Sequence, residues 1–364
     1  MEGSANKKQS YITVSQFALI IFGSIVGVGI LSLPNGVVKA AHQDGWISTL
    51  IGGIYPLYVV IIANYISKKF PNDSILILSK KYFGKILGST FNLIFATYFI
   101  FIASMIASYY TNLMRNYMVG FLTPIKIIAI LFICIIYAVS GGLKVVGIIS
   151  EISFYCTIGL LLSTTVALRD ANMINISPIL GSGISSIAKG AMKSVFSYSG
   201  AEIILLIYPF LKEKNKMLVS SIISVVIVIV LFTWCVFITT YYLGPDIVTK
   251  NYWSLLLVMG SVTVSVVNNY KYIFMTFWSL IAFKSMSING YASINILKHF
   301  GNKMKTKKIY FIMYPLLVYL AVTYGNEISR QNISENITPC YVIFNLLYMT
   351  AIAAFIFFKG DGKA

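Results

Sequence analysis

The chain has 364 residues, of which 58% are hydrophobic and 11% charged, and a mean hydropathy of +0.82. Soluble domains carry about 25% charged residues, so this composition excludes an ordinary soluble domain and indicates an integral membrane protein. A net charge of +17 would suggest nucleic acid in a soluble chain, but here the lysines fall mostly in short segments between apolar runs, as membrane topology requires.

Residues 1–12 read as a polar tail carrying Lys7 and Lys8. Span 1 is expected over about Thr13–Pro34. Its core, FALIIFGSIVGVGILSLP (Phe17–Pro34), starts as an apolar helix and then meets Ser24, Gly27 and Gly29 before Pro34 closes it. Two glycines so close together let the backbone leave helical geometry. Inside a bilayer such backbone is tolerated only where protein buries it or a wet cavity faces it. It therefore points to a substrate site or, equally, to a packing notch for a neighbouring helix. Span 2 is expected over about Trp46–Ser67, kinked at Pro56, followed by a basic loop in which Ser74–Phe83 forms a surface helix. Span 3 covers about Leu87–Tyr110, span 4 Ile125–Ser140, and span 5 Val145–Leu168 with Glu151 near its start.

A polar loop rich in Asn, Ser, Gly and Pro, Arg169–Ser186, separates the two halves. Span 6, about Ile187–Leu211, holds a second interruption in FSYSGAEIILLIYP (Phe196–Pro209), where Ser197, Ser199 and Gly200 precede Glu202. Interruptions at corresponding places in two halves point to an inverted-repeat transporter core. Span 7 is Met217–Leu243. Leu255–Val267 is too short for the ~20 residues of a membrane helix and reads as re-entrant or surface. Spans 8, 9 and 10 are expected at Tyr270–Lys298, Ile309–Tyr324 and Pro339–Phe358. The fold class is thus all-α membrane, with ten transmembrane helices in an inverted five-plus-five arrangement. It forms a single domain, residues 13–168 being the first repeat and 187–358 the second. Placing both termini in the cytoplasm puts most basic residues on the inner side. The first apolar run is too long for a cleavable signal peptide.

Ten spans, breaks in spans 1 and 6, and the run Ile25-Val-Gly-Val-Gly-Ile30-Leu-Ser-Leu-Pro34 resemble the amino acid–polyamine–organocation transporter superfamily, with its LeuT-like core. More narrowly, Phe196-Ser-Tyr-Ser-Gly-Ala-Glu-Ile203 with Pro209, the length and the short tails resemble the GerAB family of spore germination proteins, the permease-like subunits of germinant receptors. The resemblance covers nearly the whole chain. One departure stands ahead of Trp278, where Asn269-Tyr270-Lys271 replaces the family's Arg-Phe-Asp. The resemblance implies a small-molecule germinant, an amino acid or another small polar metabolite, bound near the midplane. It also implies other receptor subunits as partners and the spore inner membrane as location. The rival readings are a proton-coupled amino acid permease and a scaffold subunit whose pocket has decayed.

For a zwitterion, the carboxylate suits the free N–H groups after Gly27 and Gly29, and the ammonium suits carbonyls freed around Ser197–Gly200. Ser24, Ser197 and Ser199 offer hydroxyls. The expected ligand site comprises Ser24, Gly27, Gly29, Ile30, Tyr98, Ser197, Ser199, Gly200 and Glu202. Tyr98, Met105 and Asn112 share one face of span 3 and either wall the pocket or pack. Glu202, costly at mid-span, serves as a proton or ligand site or as a helix-start carboxylate. Lys284 lies inside span 8 with Ser287 and Tyr291 on its helical face. It either replaces the cation that sodium-coupled relatives bind between spans 1 and 8, or snorkels to the interface. Cys134, Cys156 and Cys235 lie in apolar spans and Cys340 at a span edge, with no paired spacing. With His42 and His299 the sole histidines, no metal site and no cofactor are expected. No nucleic acid partner and no catalytic constellation are expected either.

Overall fold

A computed structural model of the chain describes residues 11–261, 270–300 and 306–359. It is helical throughout, and among the described residues the β-pairing is an isolated parallel bridge between Ile12 and Leu211. The chain opens with helix α1 (Val14–Ile25), started by a reciprocal cap in which the Thr13 hydroxyl accepts from the Gln16 N–H and the Gln16 side chain accepts from the Thr13 N–H, both at 3.2 Å. The helix stops at Val26 and Gly27, whose backbone is extended. A 3-10 turn, Val28–Leu31, leads into α2 (Leu33–Ala41). Pro34 therefore opens the second half of span 1 rather than closing the span. Its missing N–H falls in a first helical turn, where none is needed.

Span 2 is α3 (Gly45–Gly52) and α4 (Ile54–Lys69). The expected kink at Pro56 lies instead at Gly53. Pro56 sits in the first turn of α4, whereas the two glycines mark a close approach. A Cβ on Gly52 would lie 1.9 Å from the Ser194 hydroxyl, and one on Gly53 would lie 2.7 Å from Ile229. The expected surface helix and span 3 form one element, α5 (Ile75–Tyr117), bent at Gly84, where φ is +78°. α6 (Pro124–Ser140) and α7 (Gly142–Leu162), extended as 3-10 helix to Asp170, complete the first half.

Span 6 divides into α8 (Ile184–Ser197), a 3-10 turn Ala201–Ile203, the single turn α9 (Ile204–Ile207) and a last 3-10 turn to Phe210. Its two parts are bent by 45°. α10 (Met217–Leu243) and α11 (Pro245–Lys250) follow, then α12 (Ser254–Ser261). α12 is packed into the body, not laid on its surface: Leu255, Leu256, Val258 and Met259 are buried. Residues 262–269, which include the rest of that expected segment and Asn269, lie outside the described residues. The last three helices are α13 (Tyr270–Phe300), α14 (Thr306–Thr323) and α15 (Glu327–Lys359). α15 begins twelve residues ahead of the expected Pro339, because its polar first turns, Glu327–Thr338, continue through the proline.

Among the described residues, five helical stretches qualify as membrane-crossing by length and hydropathy, and the bent pair of span 6 makes a sixth; α1 and α6 are apolar but shorter. Their apolar composition identifies an integral membrane protein. α13 lies at the centre, packed along α5, α6, α7 and α1. Phe17, Phe22, Phe95, Phe99, Phe274 and Trp278 fill the space between them. The four cysteines are unpaired.

Candidate functional site

The two helix breaks meet. The Ser24 hydroxyl sits 2.8 Å from both the Ile21 and the Gly200 carbonyl oxygens, joining the end of α1 to the break in span 6. Gly200 adopts φ +118°, and a Cβ there would lie 2.5 Å from the Ser24 carbonyl oxygen. Only glycine combines that backbone with that approach. The Gly200 carbonyl, expected to be free for a ligand ammonium, is thus already taken by Ser24.

Behind the break lies Glu202, fully buried. One carboxylate oxygen accepts from the Gly200 N–H at 2.7 Å and from the Tyr98 hydroxyl at 3.0 Å. The other accepts from the Tyr55 hydroxyl and, at 3.4 Å, from the Asn345 amide. Four donors from α4, α5, α15 and the backbone satisfy a carboxylate that could not otherwise be buried. The aromatic ring of Tyr341 packs on Tyr98 and holds this cage in place.

In front of the breaks is a cavity of about 400 Å³, within the range of small-molecule sites. Ser24, Gly27, Gly29, Ser197 and Ser199 line it, as does Met105. A Cβ on Gly29 would meet nothing within 4 Å, so this glycine faces the open space. Val28 and Gly29 begin the 3-10 turn, and their N–H groups have no intrahelical acceptor. Ile30, Tyr98, Gly200, Glu202 and Lys284 do not line the cavity; Ile30 is buried. Asn112 is also outside it, with its side-chain amide buried and unpaired.

Lys284 does not reach an interface. It is fully buried, and its ammonium donates to the Val26 carbonyl at 3.0 Å and lies 5.4 Å above the Phe22 ring. That carbonyl is one freed where α1 ends. No carboxylate pairs with Lys284 among the described residues. Beside it, Ser285 lines the cavity with its hydroxyl buried and unpartnered. Ser287, on the Lys284 face, is likewise buried and unpartnered. Glu151 is half-buried on α7 and outside the cavity.

The outer walls are pinned by side-chain-to-backbone bonds. Asn35 on α2 donates to the Val248 and Thr249 carbonyls at 2.8 and 2.9 Å. Asp44 accepts from the N–H groups of Leu180 and Ser182 at 2.8 and 2.9 Å. Tyr198 donates to the Thr49 carbonyl at 3.0 Å. At the cavity mouth Lys193 on α8 and Glu335 on α15 pair at 3.3 Å, both largely exposed. At the opposite end the Ile12 N–H donates to the Phe210 carbonyl at 2.9 Å and the Lys212 N–H to the Ile12 carbonyl at 3.2 Å. Tyr208 donates to the Asp73 carbonyl there. These bonds tie the start of span 1 and the end of span 6 together, and none of their residues lines the cavity.

Sequence reasoning missed Tyr55, Asn345, Ser285, Lys193 and Glu335. A signal existed for Asn345, an amide in the middle of an apolar span. Tyr55 and Ser285 carry none, because their roles depend on which helix faces them.

The family profile described as "Spore germination protein" matches residues 11–330. Spore germination protein A2 of Bacillus subtilis (strain 168) is 26% identical over 93% of this chain and 97% of its own length. Spore germination protein GerQB of Bacillus cereus is 24% identical over 84% of this chain and 85% of its own. Among solved structures, that of MhsT in complex with L-phenylalanine superposes with a TM-score of 0.64, covering 99% of this chain and 90% of that one at 13% identity. At that identity the likeness is one of fold, and it establishes the LeuT-like architecture with broken spans 1 and 6. Family and fold are those of a receptor or transporter rather than of an enzyme. A profile match over most of the chain, with relatives aligned over 85% and 97% of their own length, makes this chain a member of the spore germination protein family.

Proposed function

We propose that the chain is the permease-like subunit of a spore germinant receptor and binds an amino acid germinant in the cavity between the breaks of spans 1 and 6. It sits in the spore inner membrane with both termini cytoplasmic, and other receptor subunits read its state. The observation that carries the reading is the open cavity at unpaired helix-start amides, faced by Gly29. Helix-start N–H groups suit a carboxylate. The relatives are spore germination proteins, and the superposed MhsT structure holds an amino acid. A ligand that binds one arrangement of the broken spans better than another shifts the population toward it, and that shift is the signal.

Within this reading Glu202 positions the break in span 6, and the Lys284 ammonium takes the place of a bound cation between spans 1 and 8. A second reading, a proton-coupled amino acid permease, draws on Lys284 itself, a titratable group bonded to the break in span 1. Amino acid flux into vesicles holding this chain alone favours the permease. Binding without flux favours the receptor.

The test is thermal stabilisation of the purified chain by each of the twenty amino acids, repeated with Gly29→Trp. The side chain enters open space, so the fold persists while the cavity fills. Stabilisation that the substitution abolishes is expected. Stabilisation by no amino acid, or stabilisation indifferent to Gly29→Trp, overturns the proposal.

A further inference from the structure

The cavity sorts its lining by chemistry. Its inner walls are Ile25 and Val28 from span 1 and Phe101, Ile102, Met105 and Ile106 from α5. Its charged groups, Lys39, Lys193 and Glu335, all stand at the exposed mouth. The two ionisable side chains nearest the breaks are turned away: Glu202 is occupied by its four donors and Lys284 by the Val26 carbonyl. A seated ligand therefore meets hydroxyls and backbone dipoles but no fixed charge. A net charge brought there loses its water without a counter-ion to replace it, whereas a zwitterion can place each end on a dipole.

One hydroxyl marks where the head group goes. Ser285 on α13 is fully buried, lines the cavity, and its hydroxyl has no partner. A Cβ on Gly27 would stand 3.0 Å from this oxygen and 3.6 Å from the Ile106 methyl. The spare hydroxyl and the first apolar wall residue thus both stand beside Gly27. A buried hydroxyl left unpaired is costly unless a ligand completes it.

We infer that the site selects a net-neutral amino acid with a bulky apolar side chain, its head group held by the Ser285 hydroxyl and its side chain lodged against Ile102, Met105 and Ile106. This rests on the amino acid reading above and narrows it. At the mouth Lys193 and Glu335 pair with each other, and Lys39 is exposed to solvent, which screens its charge.

Binding of glycine, L-alanine, L-leucine, L-phenylalanine, L-aspartate and L-lysine to the purified full-length chain tests this, with Ile106→Phe and Ser285→Ala alongside. Leucine and phenylalanine are expected to bind at least about tenfold more tightly than glycine, and aspartate and lysine not measurably. Ile106→Phe, which shortens the apolar wall, is expected to weaken the bulky ligands at least about tenfold. Ser285→Ala is expected to weaken all binders by a common factor of about ten, the loss of one hydrogen bond to a charged group. Wild-type preference for glycine, alanine or a charged amino acid overturns the inference while leaving the amino acid site standing. That comparison needs no variant to fold. An unchanged affinity in Ser285→Ala, with unfolding temperature preserved, removes Ser285 from the site. Binding of none of these amino acids overturns both the inference and the function it rests on.

Discussion

Exchanging Glu202 for glutamine and for leucine separates a carboxylate that positions a helix break from one that touches ligand. Two donors meet each carboxylate oxygen: the Gly200 N–H and Tyr98 on one, Tyr55 and Asn345 on the other. Glutamine can keep its oxygen toward Gly200 and Tyr98. Its amide then faces Tyr55, whose oxygen can accept, and Asn345, whose own carbonyl oxygen has no partner and can turn inward. The Gly200 and Tyr98 donors and the new amide are then met, but the Tyr55 hydroxyl proton and the Asn345 amide lose their acceptor and the remaining bonds become neutral ones of roughly half the strength, so the expected loss is about 1–3 kcal/mol. Leucine leaves the Gly200 N–H and the Asn345 amide without acceptors at about 1–3 kcal/mol for each buried group, and the expected loss is about 3–5 kcal/mol. Thermal unfolding of the purified variants measures both. Because Glu202 lies outside the cavity, Glu202→Gln is expected to change ligand affinity less than about threefold. A leucine variant as stable as the parent, or a glutamine variant that folds normally and loses ligand affinity beyond about tenfold, refutes the positioning account.

Gly200→Ala forces an L-residue to φ +118° with its Cβ against the Ser24 carbonyl; a loss of about 2–4 kcal/mol in unfolding experiments is expected from backbone strain and displacement of span 1. Ile12→Pro removes the N–H that bonds the Phe210 carbonyl, and hydrogen exchange at the Lys212 amide is expected to accelerate at least about tenfold; unchanged exchange would show that this bridge does not hold the two segments together. Lys284→Met replaces a buried ammonium without a counter-ion by an apolar chain of similar length, so stability stays within about 1 kcal/mol, and ligand affinity of the parent chain is the same in sodium and in potassium. A sodium requirement contradicts the role given to Lys284. Glu335→Gln breaks an ion pair whose side chains are 48% and 65% exposed, and a stability change below about 1 kcal/mol is expected.

The breaks were legible because glycine and serine inside apolar runs have few other reasons to be there. Span order was legible because lysines and prolines punctuate long hydrophobic runs. Boundaries failed where one residue type serves two purposes. Pro34 reads as a terminator and in the fold initiates α2; Pro339 reads as a start and lies inside α15. Pro56 was credited with a kink that belongs to Gly53, whose role is set by Ile229, a residue far along the chain. Side-chain roles at the site were legible by type but not by direction. Glu202 stood out as a buried carboxylate, yet its four donors come from α4, α5, α15 and the Gly200 backbone, and no local pattern announces them. Ser285 was invisible for the opposite reason: serine is common in these spans, and only the placement of Gly27 opposite it makes it distinctive.

The long reach of the contacts at the breaks bears on how the protein is made. Ser24 and Gly200 are 176 residues apart, and Val26 and Lys284 are 258 apart. Membrane helices enter the bilayer in the order of their synthesis, so span 1 arrives with its freed carbonyls and amides long before their partners exist. Until span 6 and then span 8 follow, those groups must be met by water, by the insertion machinery or by temporary helical closure of the gap. The unwound geometry of span 1 is therefore a late product of assembly. A chain interrupted between spans 5 and 6 would hold span 1 in a different shape from the one it has in the finished protein.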